Sequence, residues 1–496
     1  MPYRISCVIA LVVLVSAGCS GLTWFGSDEH DDPAQTEQPP PFSEGTGTVD
    51  TPYEIRTTED LLALSEHDHY HDAAFRMTGD IDMRDIEDFQ PIGDRDNPFE
   101  GQFDGNGHTI SNLTIDAGHR SQVGLFGVVD RTPLTETRRV IENVTLESVD
   151  VRGDEFVGAV VGVNKSEVVG ASVSGEVHGN QAVGMAVGGN FGEITDTDAS
   201  GQIRGEQAVG GLVGENLGLD AGVQRSTANT DVQADRYAGG LVGKNIFGKI
   251  SDSKARGSTG GTNSVGGLVG SNTQGRLIGS EATGQVRCDA AAAGGLVGAN
   301  KIEFADEPQT PRIEDSEATG DVECEAAAGG LVGSNVEGEI VNTTATGDVE
   351  GQWHSGGLVG ISEQGHVADS EAVGNVRGEI NSGGLVGRFY HGELRSSRAS
   401  GDVEGSEYTG GLVGHSEHTT ITEARASGNV RGQVATGGLV GLNASGEITT
   451  SEASGDVEGE ESTGHLVGHN YRGEISDSEA TGTVNGDDSV NELTGD

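Results

Sequence analysis

Large side chains are scarce in this 496-residue chain: aromatic residues make up 4% of it and apolar residues of every kind only 33%. A core of big interlocking side chains is therefore excluded over most of its length. Cations are scarce too, with 29 Lys and Arg, only five of them Lys, against 79 Asp and Glu, for a formal net charge of −50. Without a basic stripe to neutralise phosphates and release counterions, nucleic acid is not an expected partner. Such an acidic excess keeps a protein soluble while self-repulsion opposes compaction, a balance associated with halophilic proteins. After the N-terminal segment no long apolar run occurs, so no later membrane span is expected. Glycine, by contrast, reaches 82 residues, more than twice the usual share of roughly 7%. Either the chain is disordered or it stacks thin layers filled with small residues, and regular spacing decides for the second.

Residues 1–26 read as an export unit: Arg4, an apolar run from Ile5 to Val15, then "SAGCSG" around Cys19. The segment resembles a lipoprotein signal, which implies lipid attachment at Cys19 and a position on the outer face of the cytoplasmic membrane. Ser16 departs from the Leu usual in that family three places before the Cys, and without modification of Cys19 the protein would be secreted. Residues 27–50 are acidic and Pro-rich and read as a disordered tether.

The last glycine of the phrase "GGLVG" recurs at Gly333, Gly360, Gly387, Gly414, Gly441 and Gly468 with a step of 27. Looser copies place it at Gly127, Gly162, Gly188, Gly214, Gly243, Gly270 and Gly298. A 27-residue period is too short for a propeller blade, and one Leu per copy is too few for a leucine-rich repeat. Several glycines per copy exclude helix, since each interior Gly costs about 1 kcal/mol. In "GEITTSEASGDVEGEESTGHLVGHN" the small residues Ser451, Ala453, Gly455 and Val457 alternate with Glu452, Asp456 and Glu458, which is strand periodicity. Strands stacked copy on copy at about 4.8 Å give an all-β parallel β-helix, a β-solenoid of about thirteen coils. Within each phrase, as in "AAAGGLVGSN", Gly329 and Gly330 are expected to make a turn, and Leu331 or Val332 to fill the thin core.

Two positions sharpen that expectation. Two residues after the marker glycine stands Asn164, Asn190, Asn216, Asn245, Asn272, Asn300, Asn335, Asn443 or Asn470. Stacked in register these amides could form a ladder; alternatively Asn is there because it tolerates a left-handed turn. Cys288 and Cys324 replace the usual glycine of "VEG" or "VRG" in consecutive copies. Neighbouring rungs lie within the Cα separation a disulfide requires, so a bridge is expected in an oxidising exterior.

Solenoid ends need protection. Residues 51–120 are read as an N-terminal cap and first coil. Thr57 with Asp60 suggests a capping box opening a short helix that buries Leu61, Leu62 and Leu64, and Phe103, Ile110, Leu113 and Ile115 face inward in "GQFDGNGHTISNLTI". Residues 121–484 then hold the repeats and 485–496 an acidic tail.

The phrases "GGLVGSN", "GGLVGKN" and "SEATGDVEG" resemble the GLUG motif, and "TPYEIRTTEDLLAL…GQFDGNGHTISNLTI" resembles the segment that precedes it in surface proteins. The resemblance covers about residues 50–485 and implies an adhesin-like, surface-attached β-helix whose partner is an envelope or extracellular glycan or protein. GLUG motifs also accompany immunoglobulin A-cleaving metallopeptidases, so chemistry has to be sought. None of the fourteen histidines is followed by Glu, which excludes HExxH; no G-x-S-x-G elbow, Walker A loop or G-G-x-G-x-D calcium repeat occurs. His67, His69 and His71 in "EHDHYHD" would share one face of a strand and are the weak metal candidates. No cofactor is expected. Carboxylate pairs such as Asp80/Asp82 and Asp94/Asp96 arise readily in so acidic a chain, and the expectation is a non-enzymatic protein, with a passive spacer or a polysaccharide-active enzyme as alternatives. Sequons at Asn112, Asn143 and Asn342 are candidates for glycan, whereas Asn164 and Asn443 should be shielded in the ladder. Trp353, Tyr390 and Tyr408 are candidate binding aromatics if they stack on one face.

Overall fold

The computed structural model describes residues 41–486 apart from 43, 88, 131–139 and 308. The signal at 1–26, Cys19, most of the tether and most of the tail lie outside the described residues. Described structure starts before residue 50: Phe42 is buried, its ring 4.9 Å from Tyr53 and 5.2 Å from Phe75. An apolar ring at the end of an acidic stretch gives that stretch something to bury, so residues 41–50 belong to the cap and not to a free tether.

Helix α1, Thr58–Glu66, is the one α-helix among the described residues. It begins at the Thr57/Asp60 capping box as expected, and buries Leu61 and Leu64 while Leu62 lies half-buried at its edge. After a 3₁₀ turn at Asp68–Tyr70 come strands, most of them short and two of 13 residues, joined in parallel to the coils before and behind. They form three walls: a 16-stranded sheet (sheet I), a 34-stranded sheet (sheet II) and a 13-stranded sheet (sheet III). The protein is a parallel β-solenoid of about 15 turns. The count of thirteen holds for sheet III alone, because only coils carrying the "GLVG" strand enter it; Tyr53–Ile55, Ala74–Met77 and Gln102–Asp104 open sheet I without one.

One coil shows the plan. Val332–Val336 lies in sheet III, Glu339–Val341 in sheet I, and Thr344–Ala345, Val349–Gly351 and His354–Gly356 in sheet II. The next coil repeats it in register, with Val332 beside Val359, Ile340 beside Val367, and Val349 beside Val376. Leu331 and Val332 are both fully buried, as are Ile340 and Ala345. Two consecutive residues face inward because the backbone bends at Gly330 and Leu331, which resets the strand alternation.

Of the three corners in this coil, the one from sheet II to sheet III falls at Gly330 and Leu331, as the glycines suggested, and the other two turn on residues other than glycine. Glu337 (φ +55°) carries the chain from sheet III to sheet I, and Asn342 (φ +52°) from sheet I to sheet II. Gln364, His391, His418, Ser445 and Arg472 repeat the first corner in later coils; Asp369, Ser396, Glu423, Thr450 and Asp477 repeat the second. These left-handed non-glycine residues are costly singly and persist because stacked neighbours fix the path. Gly330 serves a different need: a Cβ there would overlap the carbonyl oxygen of Gly357 in the next coil. The glycine pair permits close approach of backbones at one corner, and the residues at the Glu337 and Asn342 positions make the other two.

Candidate functional site: a polar groove along sheet II

The short sheet II strands place alternate residues outward. In Val349–Gly351 the valine is buried while Asp348 and Glu350 on either side are exposed. Stacking turns these positions into rows. One runs Asp321, Asp348, Asn375, Asp402, Asn429, Asp456, Thr483; the other runs Arg287, Glu323, Glu350, Arg377, Glu404, Arg431, Glu458. Between them, floored by Val322, Val349, Val376, Val403, Val430 and Val457, lies a trough of about 980 Å³. A second trough of about 880 Å³ flanks the Arg/Glu row, with a floor of Cys288, Cys324, Gly351, Gly378, Gly405, Gly432 and Gly459.

Between Asp348 and Glu458 the rows alternate with a two-coil period. Coils bearing Asp348/Glu350, Asp402/Glu404 and Asp456/Glu458 are separated by coils bearing Asn375/Arg377 and Asn429/Arg431. Like charges directly opposite are destabilising across strands; the alternation replaces them with attraction in these five coils, whereas Glu323 still faces Glu350. Arg377 Nε lies 3.2 Å from Glu404 and Arg431 Nη2 2.6 Å from Glu458. Asn375 and Asn429 each donate Nδ2 to the preceding Asp at 3.1 Å. In the first row each carboxylate or amide oxygen also accepts the next coil's main-chain N–H, as Asp348 does from Asn375 at 2.8 Å and Asn375 from Asp402 at 3.1 Å. Asp456 is held below the usual carboxylate range by the hydroxyl and N–H of Thr483. In the sequence the alternation shows when copies two apart are aligned, as "GDVEG" at 401–405 and 455–459 against "GNVRG" at 374–378 and 428–432.

The asparagines form the expected ladder. Nδ2 of Asn164 donates to Oδ1 of Asn190 at 2.8 Å, and the chain continues through Asn216, Asn245, Asn272 and Asn300 to Asn335 at 2.7–2.8 Å. It pauses at Ser362, Phe389 and Ser416, then resumes from Asn443 to Asn470 at 2.9 Å. The left-handed alternative falls, because positive φ belongs to the residue two places further on, as in Phe247 and Gln274. Asn164 and Asn443 are fully buried, while Asn143 and Asn342 are exposed and Asn112 half-exposed on left-handed corners.

Other candidates separate. His71 is buried with both ring nitrogens turned to main-chain carbonyl oxygens, 3.2 Å from Leu64 and 3.3 Å from Asn97, so neither faces a metal. His67 ends α1 and His69 sits in a 3₁₀ turn, not on the strand expected; no metal-holding group of three or more exists among the described residues. The His67 and His69 rings stay 5.7 Å apart, while the tight turn carries His71 away from them into the interior. Trp353 is half exposed, but Trp353, Tyr390 and Tyr408 stand seven before, three after and six before their marker glycines, so they share no column. Asp80 and Asp82 both titrate low: Asp80 accepts from Thr109 N–H and His108, and Asp82, lowered to about 2, pairs with Arg84 and Asn112. The insertion at 301–312 is docked, with Phe304 5.4 Å from Phe247 and Gln309 donating to the Gln274 carbonyl at 2.6 Å.

These coils define a parallel β-solenoid of repeats, and the family model described as "The GLUG motif" matches it at residues 261–287, 325–350 and 405–431. A stretch of 142 residues is 38% identical to "Halomucin" of Haloquadratum walsbyi, covering 26% of this chain and 2% of that protein. Another of 140 residues is 32% identical to "Putative Gly-rich membrane protein" of Evansella cellulosilytica, covering 27% of this chain and 15% of that one. The chain thus spans only a small part of either relative's length. Among solved structures, a "putative immunoglobulin A1 protease" from Bacteroides ovatus aligns over 72% of this chain and 87% of its own, at 19% identity and a TM-score of 0.34. A likeness at that level carries no functional implication.

Proposed function

We propose that the chain is a non-enzymatic cell-surface interaction protein, anchored through a lipid on Cys19, whose sheet II groove engages an extended envelope or extracellular glycan. The observation that carries this reading is the two-coil alternation of Asp/Glu and Asn/Arg along a continuous trough. Two coils span roughly 10 Å, a length comparable to a disaccharide unit of an extended polysaccharide. Carboxylates and amides in fixed rows suit sugar hydroxyls, and the excess of acid over Arg favours an uncharged or amine-bearing polymer. No aromatic platform lines the trough, so each sugar is held weakly and affinity accumulates with length. Surface location draws support from relatives named as a halomucin and a membrane protein.

The acidic surface fits work at high ionic strength, where screening shortens the reach of self-repulsion. Catalysis draws no support from the groove: Asp456 titrates low, the opposite of what a proton-donating acid requires. The test is binding of uncharged, amine-bearing and anionic oligosaccharides of increasing length in high salt. Binding that strengthens with length for the first two classes is expected; no binding to any of them would reduce the chain to a spacer, and cleavage would make it an enzyme.

A further inference from the structure

We propose that Cys288 and Cys324 are a built cross-coil disulfide site in the groove floor, which locks the coil carrying the 301–312 insertion. The two residues are direct register partners on adjacent parallel strands, Val286–Cys288 and Val322–Cys324. Both are buried thiols in the structure, and both line the second trough, which gives a reagent a path to them.

Their column shows that room was made for sulfur. In the five following coils the position is Gly351, Gly378, Gly405, Gly432 and Gly459. A Cβ at Gly351 would stand 2.6 Å from Ser355 Oγ, and the others would meet the hydroxyls of Ser382, Thr409, Thr436 and Thr463 in the same way. In the two cysteine coils the hydroxyl residue is replaced by alanine: Ala328 is the register partner of Ser355, and Ala293 that of Ala328. Alanine in both cysteine coils leaves the space that Ser or Thr hydroxyls fill in the later coils, and in the coil before, Val265 holds that position beside Gly261. Direct register partnership on adjacent rungs then places the sulfurs side by side.

Chemistry at the pair is asymmetric. Cys288 is lowered to about 7 by its hydrogen bond with Cys324 and by the N–H groups of Ala290, Ala291 and Ala292, whereas burial and Cys288 push Cys324 up. In the exchange Cys288 attacks first, once the proton it donates to the Thr262 carbonyl at 3.4 Å is lost. Its sulfur attacks a disulfide of a low-molecular-weight thiol or an export-pathway oxidoreductase, forms a mixed disulfide and releases one thiolate. Cys324 then loses its proton and attacks Cys288 Sγ, expelling the second thiolate. The two cysteines lose two electrons and two protons, and the reagent disulfide is reduced to two thiols. The insertion lies between the two positions in sequence, so the bond closes the loop that contains it.

The test is peptide mapping of the full chain after equilibration with excess oxidised glutathione, followed by alkylation under denaturing conditions; peptide masses keep Cys7 and Cys19 apart. A Cys288–Cys324 linked peptide two hydrogens lighter than the reduced pair is expected. Quantitative alkylation of both, or glutathione retained on Cys288 alone, overturns the proposal. The paired variant Cys288→Gly/Cys324→Gly copies the neighbouring coils. The wild type should melt several degrees lower with reductant than without, while this variant is indifferent; equal wild-type melting in both conditions also overturns it.

Discussion

Between Phe42 and Phe126 the interior is built from rings: Phe75, Phe89, Phe99, Phe103 and Phe126 are all fully buried, with Phe99 and Phe103 4.9 and 5.3 Å from Phe126. From Val161 onward the interior is Val, Leu, Ile and Ala with a spine of buried amides, and Phe389 is the one buried ring among the described residues. The cap coils feed sheets I and II, and sheet III begins only at Phe126–Val129. The first coils must end a stack and define its register, and irregular large side chains do this because they fit one way only. The later coils copy a register already set, for which small residues and one hydrogen bond per coil suffice. The ladder tolerates steps of 26, 29 and 35 residues between its members, since the extra length leaves through the corners; Asn300 still bonds Asn335 at 2.8 Å across the insertion.

Breaking the cap should therefore cost the most. Phe103→Ala removes a fully buried ring and is expected to lose about 3–5 kcal/mol in urea unfolding. Asn300→Ala should cost about 2–4 kcal/mol, because it strands the Asn272 donor and the Asn335 acceptor in a dry interior. Hydrogen exchange should place that loss in coils 270–340, leaving the cap protected; exchange spreading through the whole chain would show that the two regions are not separable.

Acid should act on the repeats first. Burial, Arg388 and His415 lower His354 from its usual value to about 4, so the folded state resists a proton that the unfolded chain accepts near 6.5. Stability is then expected to fall by up to about 3 kcal/mol between pH 6.5 and 4 and to level off below, with His415, also lowered, adding in the same sense. Asp82, lowered to about 2, loses its contribution only further down, from near 3.8 toward 2. Thermal melts across this range, repeated on His354→Gln, check the first window: the variant should be flatter. The smallest effect belongs to the surface: Arg431→Ala breaks a largely exposed pair with Glu458 and should leave the melting temperature almost unchanged, the more so in high salt.

Architecture was legible because strand alternation and a fixed period are local signals repeated thirteen times. The capping box, the amide ladder and the cysteine register followed from position alone. The corner at Gly330 is legible from its glycines, whereas those at Glu337 and Asn342 turn on residues other than glycine and are set by the stacked neighbours. His71 was misplaced because the end of a helix, not a strand, sets its direction. The groove stayed hidden since its rows are variable residues, and their order emerges only when alternate coils are laid side by side.

The most direct measurement is the affinity of the wild type for uncharged and amine-bearing oligosaccharides of increasing length in high salt, beside a variant with Asn375, Arg377, Asn429 and Arg431 all changed to Ala. The account predicts that wild-type affinity climbs with length and levels off when the oligomer spans the groove, roughly 30 Å, and that the variant loses most of this gain while keeping its fold. Length-independent binding, or a folded variant that binds as the wild type does, would contradict it.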